Sequence, residues 1–223
     1  MTDRFTIAID GPASSGKGTV ARTVARALNY AYIDTGAMYR SVALAAQKRG
    51  VSLSSGAALG ELTASLEFQF TWDSLGLRIL VNGEDWSEQI RTETVGKGAS
   101  DVAVHPQVRT ALLARQRALA GQGGVVMDGR DIGSVVLPDA DLKIYLDASV
   151  DERARRRHAE LSAKGLDVTL SAIRSEVADR DHQDRTRAEA PLIRTDDAVY
   201  LDTTDLTADA SAAQIVQMVA DLA

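Results

Sequence analysis

Short apolar runs alternate along this chain with stretches whose apolar residues recur at helical spacing. Phe5-Thr6-Ile7-Ala8-Ile9 reads as a first strand ending in Asp10, and Val20 to Leu28 as the helix that follows. Tyr30-Ala31-Tyr32-Ile33 reads as a second strand, and Thr35 is placed to cap the helix after it, which Gly50 closes. From Leu66 to about Trp86 the period changes to two, with Asn82-Gly83 as a hairpin turn, so a small antiparallel sheet is expected there. Helices are expected over residues 92–104 and 106–120, the second opening on Pro106 and ending at Gly121-Gln122-Gly123-Gly124. Val125-Val126-Met127, Leu142 to Leu146 and Val199-Tyr200-Leu201 read as three more strands. Ser149-Val150-Asp151-Glu152 has the form of a capping box, and Thr169 is placed to cap a helix running past Arg180. A last helix carries Ile215, Val216, Met218, Val219 and Leu222.

Strands alternating with helices imply an α/β fold with a parallel sheet covered on both faces, and ligands at the carboxyl ends of its strands. Asp10/Gly11, Asp34/Thr35 and Asp128/Arg130 all fall at such ends. The full expectation is one unit of 223 residues with three parts: a core over about 1–60, 92–150 and 190–223, an antiparallel insertion over about 61–91, and a short helical lid over about 151–189.

The first strand runs straight into Gly11-Pro12-Ala13-Ser14-Ser15-Gly16-Lys17-Gly18-Thr19. Strand, glycine loop and helix are the setting in which backbone N–H groups and a helix amino end cradle phosphate, with Lys17 adding a full charge. Gly18 stands where a magnesium-binding Ser or Thr hydroxyl is usual, and Thr19 follows it. Asp128, at the end of a buried strand, can order a magnesium ion through its water shell, or merely form a turn with Gly129.

Composition removes several alternatives. With no cysteine there is no disulfide and no thiol chemistry, and three scattered histidines suggest no metal cluster. A net charge of −6 argues against general nucleic-acid affinity. No apolar run reaches membrane-spanning length and Met1-Thr2-Asp3-Arg4 runs directly into the first strand, so a cytoplasmic protein, monomeric and without membrane partners, is expected. Arginine far outnumbers lysine, which suits individual phosphate sites or simply reflects a GC-rich coding sequence.

Between Asp151 and Arg194 there are ten basic and nine acidic residues, open to two readings: a solvated, ion-paired helix pair or a lid over phosphates. Arg153 and Arg157 lie four apart on one helix face, and Arg180, Asp184 and Arg187 share another if the helix persists. No Asn-Lys-x-Asp guanine motif is present, so a GTPase switch is disfavoured. An acceptor phosphate is largely ionised at neutral pH, with a second pKa of about 6, and needs charge neutralisation rather than a base. The surplus of arginine forks over candidate bases therefore favours a nucleoside monophosphate acceptor over a hydroxyl.

The loop, Asp34-Thr35-Gly36-Ala37-Met38-Tyr39-Arg40, Asp128-Gly129-Arg130-Asp131-Ile132-Gly133, and Arg180-Asp181 through Ala190-Pro191-Leu192 together resemble bacterial cytidylate kinase, of the nucleoside monophosphate kinases, over nearly the whole chain. The resemblance implies ATP and CMP or dCMP as substrates, with Mg²⁺. It implies that Ser100, Arg109 and Asp131 read cytosine, and that Arg180 and Asp184 hold the ribose. It implies too that Arg40, Arg130 and Arg187 grip the acceptor phosphate beside Thr35, where serine is commoner. Ser100 and Arg109 read equally well, on the residues alone, as ordinary helix-surface positions. Arg153 and Arg157 are candidates for contacts to the transferred phosphoryl group.

Overall fold

The structure is a computed structural model that describes residues 4–73, 76–121 and 123–222. Met1, Thr2 and Asp3, read above as a direct run into the first strand, and Gln122, read as part of a helix stop, lie outside the described residues. The chain forms two compact units, one from residues 1–32 with 122–223 and the other from residues 33–121.

The first unit is built on a parallel sheet. Its strands are β1 (Thr6–Asp10), β6 (Val125–Gly129), β7 (Leu142–Asp147) and β8 (Val199–Asp202), and β2 (Ala31–Asp34) starts in this unit. The order is β2-β6-β1-β7-β8, with β1 parallel to both β6 and β7 and β7 parallel to β8. Ile7, Ala8, Ile9, Val126, Met127, Ile144, Tyr145 and Leu146 are buried in succession rather than alternately, as expected of strands covered on both faces. Helix α1 (Lys17–Leu28) buries Val20, Ala21, Val24 and Ala25, and α8 (Ala208–Ala220) packs against it through a face with Ala212, Ile215 and Val219 buried. Helices α6 (Val150–Ala163) and α7 (Leu170–Thr186) pair through a small core of their own: Ala154, Leu161, Ile173 and Val177.

The second unit holds α2 (Thr35–Arg49), α3 (Gly56–Ala64), the antiparallel strands β3 (Phe68–Asp73), β4 (Gly76–Val81) and β5 (Glu84–Asp85), then α4 (Glu93–Ala103) and α5 (Pro106–Ala120). Val81 pairs with Glu84 across Asn82 and Gly83, both at positive φ, as a two-residue hairpin requires. Ile79 and Val81 of β4 join Met38, Val42, Leu59, Val102 and Leu112 in one hydrophobic core. That shared core extends the unit well beyond residues 61–91.

The expected architecture is present: parallel sheet flanked by helices, plus a small antiparallel sheet. Four local expectations need correction. Helix α1 begins at Lys17 rather than Val20, because the glycine loop leads directly into the first turn. Thr35 does not cap α2; Asp34 does, its carboxylate accepting from the Ala37 N–H at 2.8 Å. The Ser149 box is half made. Ser149 Oγ accepts from the Glu152 N–H, but the Ser149 N–H donates to Thr204 Oγ1, and Glu152 pairs with Arg155 and Arg156 instead. Finally, α7 ends at Thr186, so Arg187 sits in the cap position in extended backbone rather than on the helix face.

Candidate active site

The loop between β1 and α1 is held from outside by its carbonyl oxygens. Lys17 Nζ donates to Pro12 O at 2.9 Å, Arg153 Nη1 to Ala13 O at 3.1 Å, and Arg156 Nη1 to Ser15 O at 3.1 Å. Thr203 Oγ1, from the segment after β8, also donates to Ser15 O. Carbonyls engaged by cations on one side leave the loop's N–H dipoles to face an anion on the other, the geometry of a phosphate nest. Ser14 and Gly16 carry the positive φ values of 59° and 89° that such a turn demands. Gly11 is required for a different reason: a Cβ there would stand 2.0 Å from the Leu146 carbonyl oxygen of β7. Ser15 Oγ is buried with no hydrogen-bond partner among the described residues, a polar atom suited to a ligand oxygen.

Adjacent to the loop lies a cavity of about 490 Å³, lined among others by Ser14, Gly16, Arg155, Arg157, Thr203 and Leu206. Its size is that of a small-molecule site. Arg157 lies on its wall and pairs with Glu160 at 2.7 Å. Arg153, expected beside the transferred phosphoryl group, is 1% exposed. Its donors meet Asp181 twice, Ala148 O and Ala13 O.

Burial pushes the Lys17 ammonium from 10.5 down to about 7; the Arg130 charge adds to this, while Asp128 and Asp184 oppose it. At the adjoining strand ends, Ile9 is level with Asp128 and Asp10 with Gly129. Tyr32 O–H donates to Asp128 Oδ1 at 2.9 Å. A Cβ on Gly18 would lie 3.4 Å from that hydroxyl and 3.7 Å from Asp128 Oδ2, so Gly18 leaves the approach to the carboxylate open. An oxygen-only donor set of this kind fits a hard cation such as Mg²⁺. No cluster of three metal-ligating side chains occurs among the described residues. Asp10 accepts the N–H groups of Ile132 and Gly133 at 2.8 and 2.7 Å, fixing the turn just after Asp131. Burial raises its carboxyl to about 6 against those same hydrogen bonds.

On the same unit, Asp184 gathers arginines. Arg130 Nε donates to it at 2.7 Å, and Arg187 Nη1 lies 3.8 Å away. Arg187 also stands 3.6 Å from Asp131 and donates to Ala190 O. The neighbouring arginines, Arg130 first and then Arg180 and Arg187, hold the Asp184 carboxyl below its usual range despite burial. Arg130, Asp131, Asp184 and Arg187 are thus one cluster even though Arg187 has left the helix.

In the second unit, Arg40 pairs with Asp34 at 2.8 Å, and its buried Nε has no hydrogen-bond partner among the described residues. It shares a small crevice with Phe70, Ile79 and Arg91. Thr35 is buried at the start of α2. Ser100 is half-buried on α4, and Arg109 on α5 lies over the Tyr39 ring. Reading the sequence alone gave no site role to Arg156, Thr203 or Tyr32, and it placed Asp10 only at a strand end and Asp181 only within a motif. Thr203 had a usable signal, a polar Asp202-Thr203-Thr204-Asp205 run at a strand's carboxyl end; the others depend on packing.

A parallel sheet whose first strand opens into a lysine-bearing glycine loop, beside a cavity and an arginine cluster, defines a P-loop nucleotide-binding protein. A family model described as cytidylate kinase matches residues 7–221. The chain is 48% identical over 215 residues to a cytidylate kinase of Exiguobacterium sibiricum, covering 96% of each, and 50% identical over 219 residues to one of Geobacillus thermodenitrificans, covering 98% of each. The chain belongs to the cytidylate kinase family. In fold alone it is also similar to an uncharacterised protein from Eubacterium ventriosum, with a TM-score of 0.54 at 13% identity over 98% of this chain and 99% of that one.

Proposed function

We infer that the protein transfers the γ-phosphoryl group of ATP to CMP or dCMP, giving ADP and CDP or dCDP. Family membership over nearly the full length is the observation that carries this. ATP's phosphates lie along Gly11 to Thr19, and its nucleoside takes the neighbouring cavity; the positive φ values of Ser14 and Gly16 and the cavity size support this. Thr35, Arg40, Ser100, Arg109, Arg130, Asp131, Arg180, Asp184 and Arg187 are the proposed acceptor contacts. Cytosine offers an amino donor that suits Asp131, and acceptors that suit Arg109 and Ser100. The unpartnered Arg40 Nε supports a role in binding an oxyanion. Lys17, Arg130, Arg157 and Arg187 neutralise the moving charge, so in-line placement and electrostatics carry the rate. Asp128 would hold Mg²⁺ through its water shell, and the cation would supply charge neutralisation at the donor phosphates. The division into core, antiparallel acceptor region and helical lid is proposed with the same boundaries as above. The lid's own small core favours movement of α6 and α7 together.

A coupled ADP-release assay across CMP, dCMP, UMP, AMP and GMP tests the assignment. ADP should form fastest with CMP or dCMP. No product with CMP, or equal rates with CMP and AMP, overturns it; tight ATP binding without turnover at any acceptor would mark a nucleotide-dependent binding protein.

A further inference from the structure

One buried guanidinium reaches three separate segments of the first unit. Arg153 Nε donates to Ala148 O at 2.9 Å, Nη1 to Ala13 O at 3.1 Å, and Nη1 and Nη2 together clasp the carboxylate of Asp181, Nη1 at 2.9 Å and Nη2 at 2.5 Å. Ala13 lies in the phosphate loop, Ala148 at the entry to α6, and Asp181 in the middle of α7. Arg153 and Asp181 are both buried. A guanidinium fork bound on both sides leaves little reach for a ligand. What it does constrain is the position of α7 relative to the loop, because a bidentate pair is made only at one spacing and one angle. Next to Asp181 stands Arg180, and three residues on is Asp184, which binds Arg130. Arg130 in turn bears on the charge of Lys17. The path from loop to α7 and back to Lys17 is closed.

We propose that Arg153 is a positioning residue: with Asp181 it couples the phosphate loop, where the donor binds, to α7, which carries two of the proposed acceptor contacts. The inference rests on the kinase reading above. A nucleotide ordering Ala13 orders Arg153, and through it the helix that presents Arg180 and Asp184. Coupling of this kind is reciprocal, so acceptor binding tightens donor binding by the same factor. A buried ion pair adds little net stability over an apolar replacement, but it does specify geometry, and geometry is what coupling requires.

The test measures the Kd of a non-hydrolysable ATP analogue with and without saturating CMP, by calorimetry, in the wild type, Arg153→Lys and Asp181→Asn. Lysine keeps the charge but cannot serve loop, α6 entry and α7 together. The wild type should show CMP tightening the analogue by about fivefold or more, within the usual range for coupled sites. In either variant the ratio should collapse to within about twofold of unity. A merely structural role would lower thermal stability and leave the ratio unchanged. The proposal is overturned by an unchanged ratio in a folded variant, or by a wild type in which CMP leaves the analogue's Kd where it was. Should Asp181→Asn not fold, Arg153→Lys alone decides. A wild type that makes no ADP from CMP sinks the kinase reading itself; normal turnover with an unchanged ratio sinks only the coupling.

Discussion

Lys17 is asked to hold a positive charge in a place that resists one. Burial brings its ammonium to about 7, and the neighbouring Arg130 charge works in the same direction. Bound phosphate would raise it again, so anion binding above that pH must take up a proton. Affinity for an ATP analogue should therefore be flat below about pH 7 and weaken above it, by up to about tenfold per pH unit. Stability runs the other way. Between about 7 and 10.5 the unfolded chain, with an ordinary lysine, binds more protons than the folded one, so the free protein gains stability from this group as pH rises through that window. Lys17→Met should flatten both pH profiles, leave the fold intact, and cut kcat by about 10²–10³-fold, the usual loss on removing one preorganised charge contact. Calorimetric titration from pH 6 to 9, with kcat measured on both proteins, checks this. A wild-type affinity unchanged to pH 9, or a near-normal kcat in the variant, refutes the role of the Lys17 charge. The tuning of Asp10 could not be read from the sequence, because only the folded chain buries it and brings the Ile132 and Gly133 N–H groups to it.

Helix ends are where local sequence spoke most directly, and where most of its corrections fall. Ser149 and Thr169 cap α6 and α7 as their S/T-x-x spacing indicates. At α2 two residues in succession, Asp34 and Thr35, are both good caps; the choice falls to Asp34, whose second oxygen also pairs with Arg40. Helix α3 left no periodic signal because it carries Gly56 and Gly60. The structure explains Gly60: a Cβ there would lie 2.7 Å from Gln107 Cβ of α5, so the residue exists to let two helices touch. The half-made box at α6 yields a prediction. Since Ser149 Oγ serves one N–H and Glu152 is occupied by arginines, Ser149→Ala should cost about 1 kcal/mol. That corresponds to a fall of about 2–4 °C in Tm for a chain of this size. Glu152→Gln should leave the cap itself intact, because its carboxylate does not close the box. Thermal unfolding of the two variants separates these outcomes, and a larger loss from Glu152→Gln than from Ser149→Ala would contradict the account.

At the scale of the whole chain, the order of elements and the phosphate loop were legible because both are written locally: period-two and period-3.6 patterns, and glycines beside a lysine. The division of labour among arginines was not. Arg153, Arg156 and Arg157 look alike in sequence, yet one is sealed against Asp181, while of the two on the cavity wall one is tied to Ser15 O and Thr203 and the other pairs with Glu160. Which is which depends on how far each stands from the sheet, a property of the assembled unit. The loop, the cavity, α6 and the segment after β8 all belong to the unit of residues 1–32 and 122–223. A donor nucleotide bound alone should stabilise that unit first. Hydrogen exchange with a non-hydrolysable ATP analogue and no acceptor should then slow amides over residues 11–19, 150–163 and 203–211, while residues 56–120 exchange as in the free protein. At a ligand concentration of one hundred times Kd the gain available is about 2.7 kcal/mol, so slowing by as much as about a hundredfold is within reach where exchange requires opening of the unit. Protection confined to residues 56–120 would place the donor elsewhere, and with it would go the reason for assigning the cavity beside Thr203 to the nucleoside.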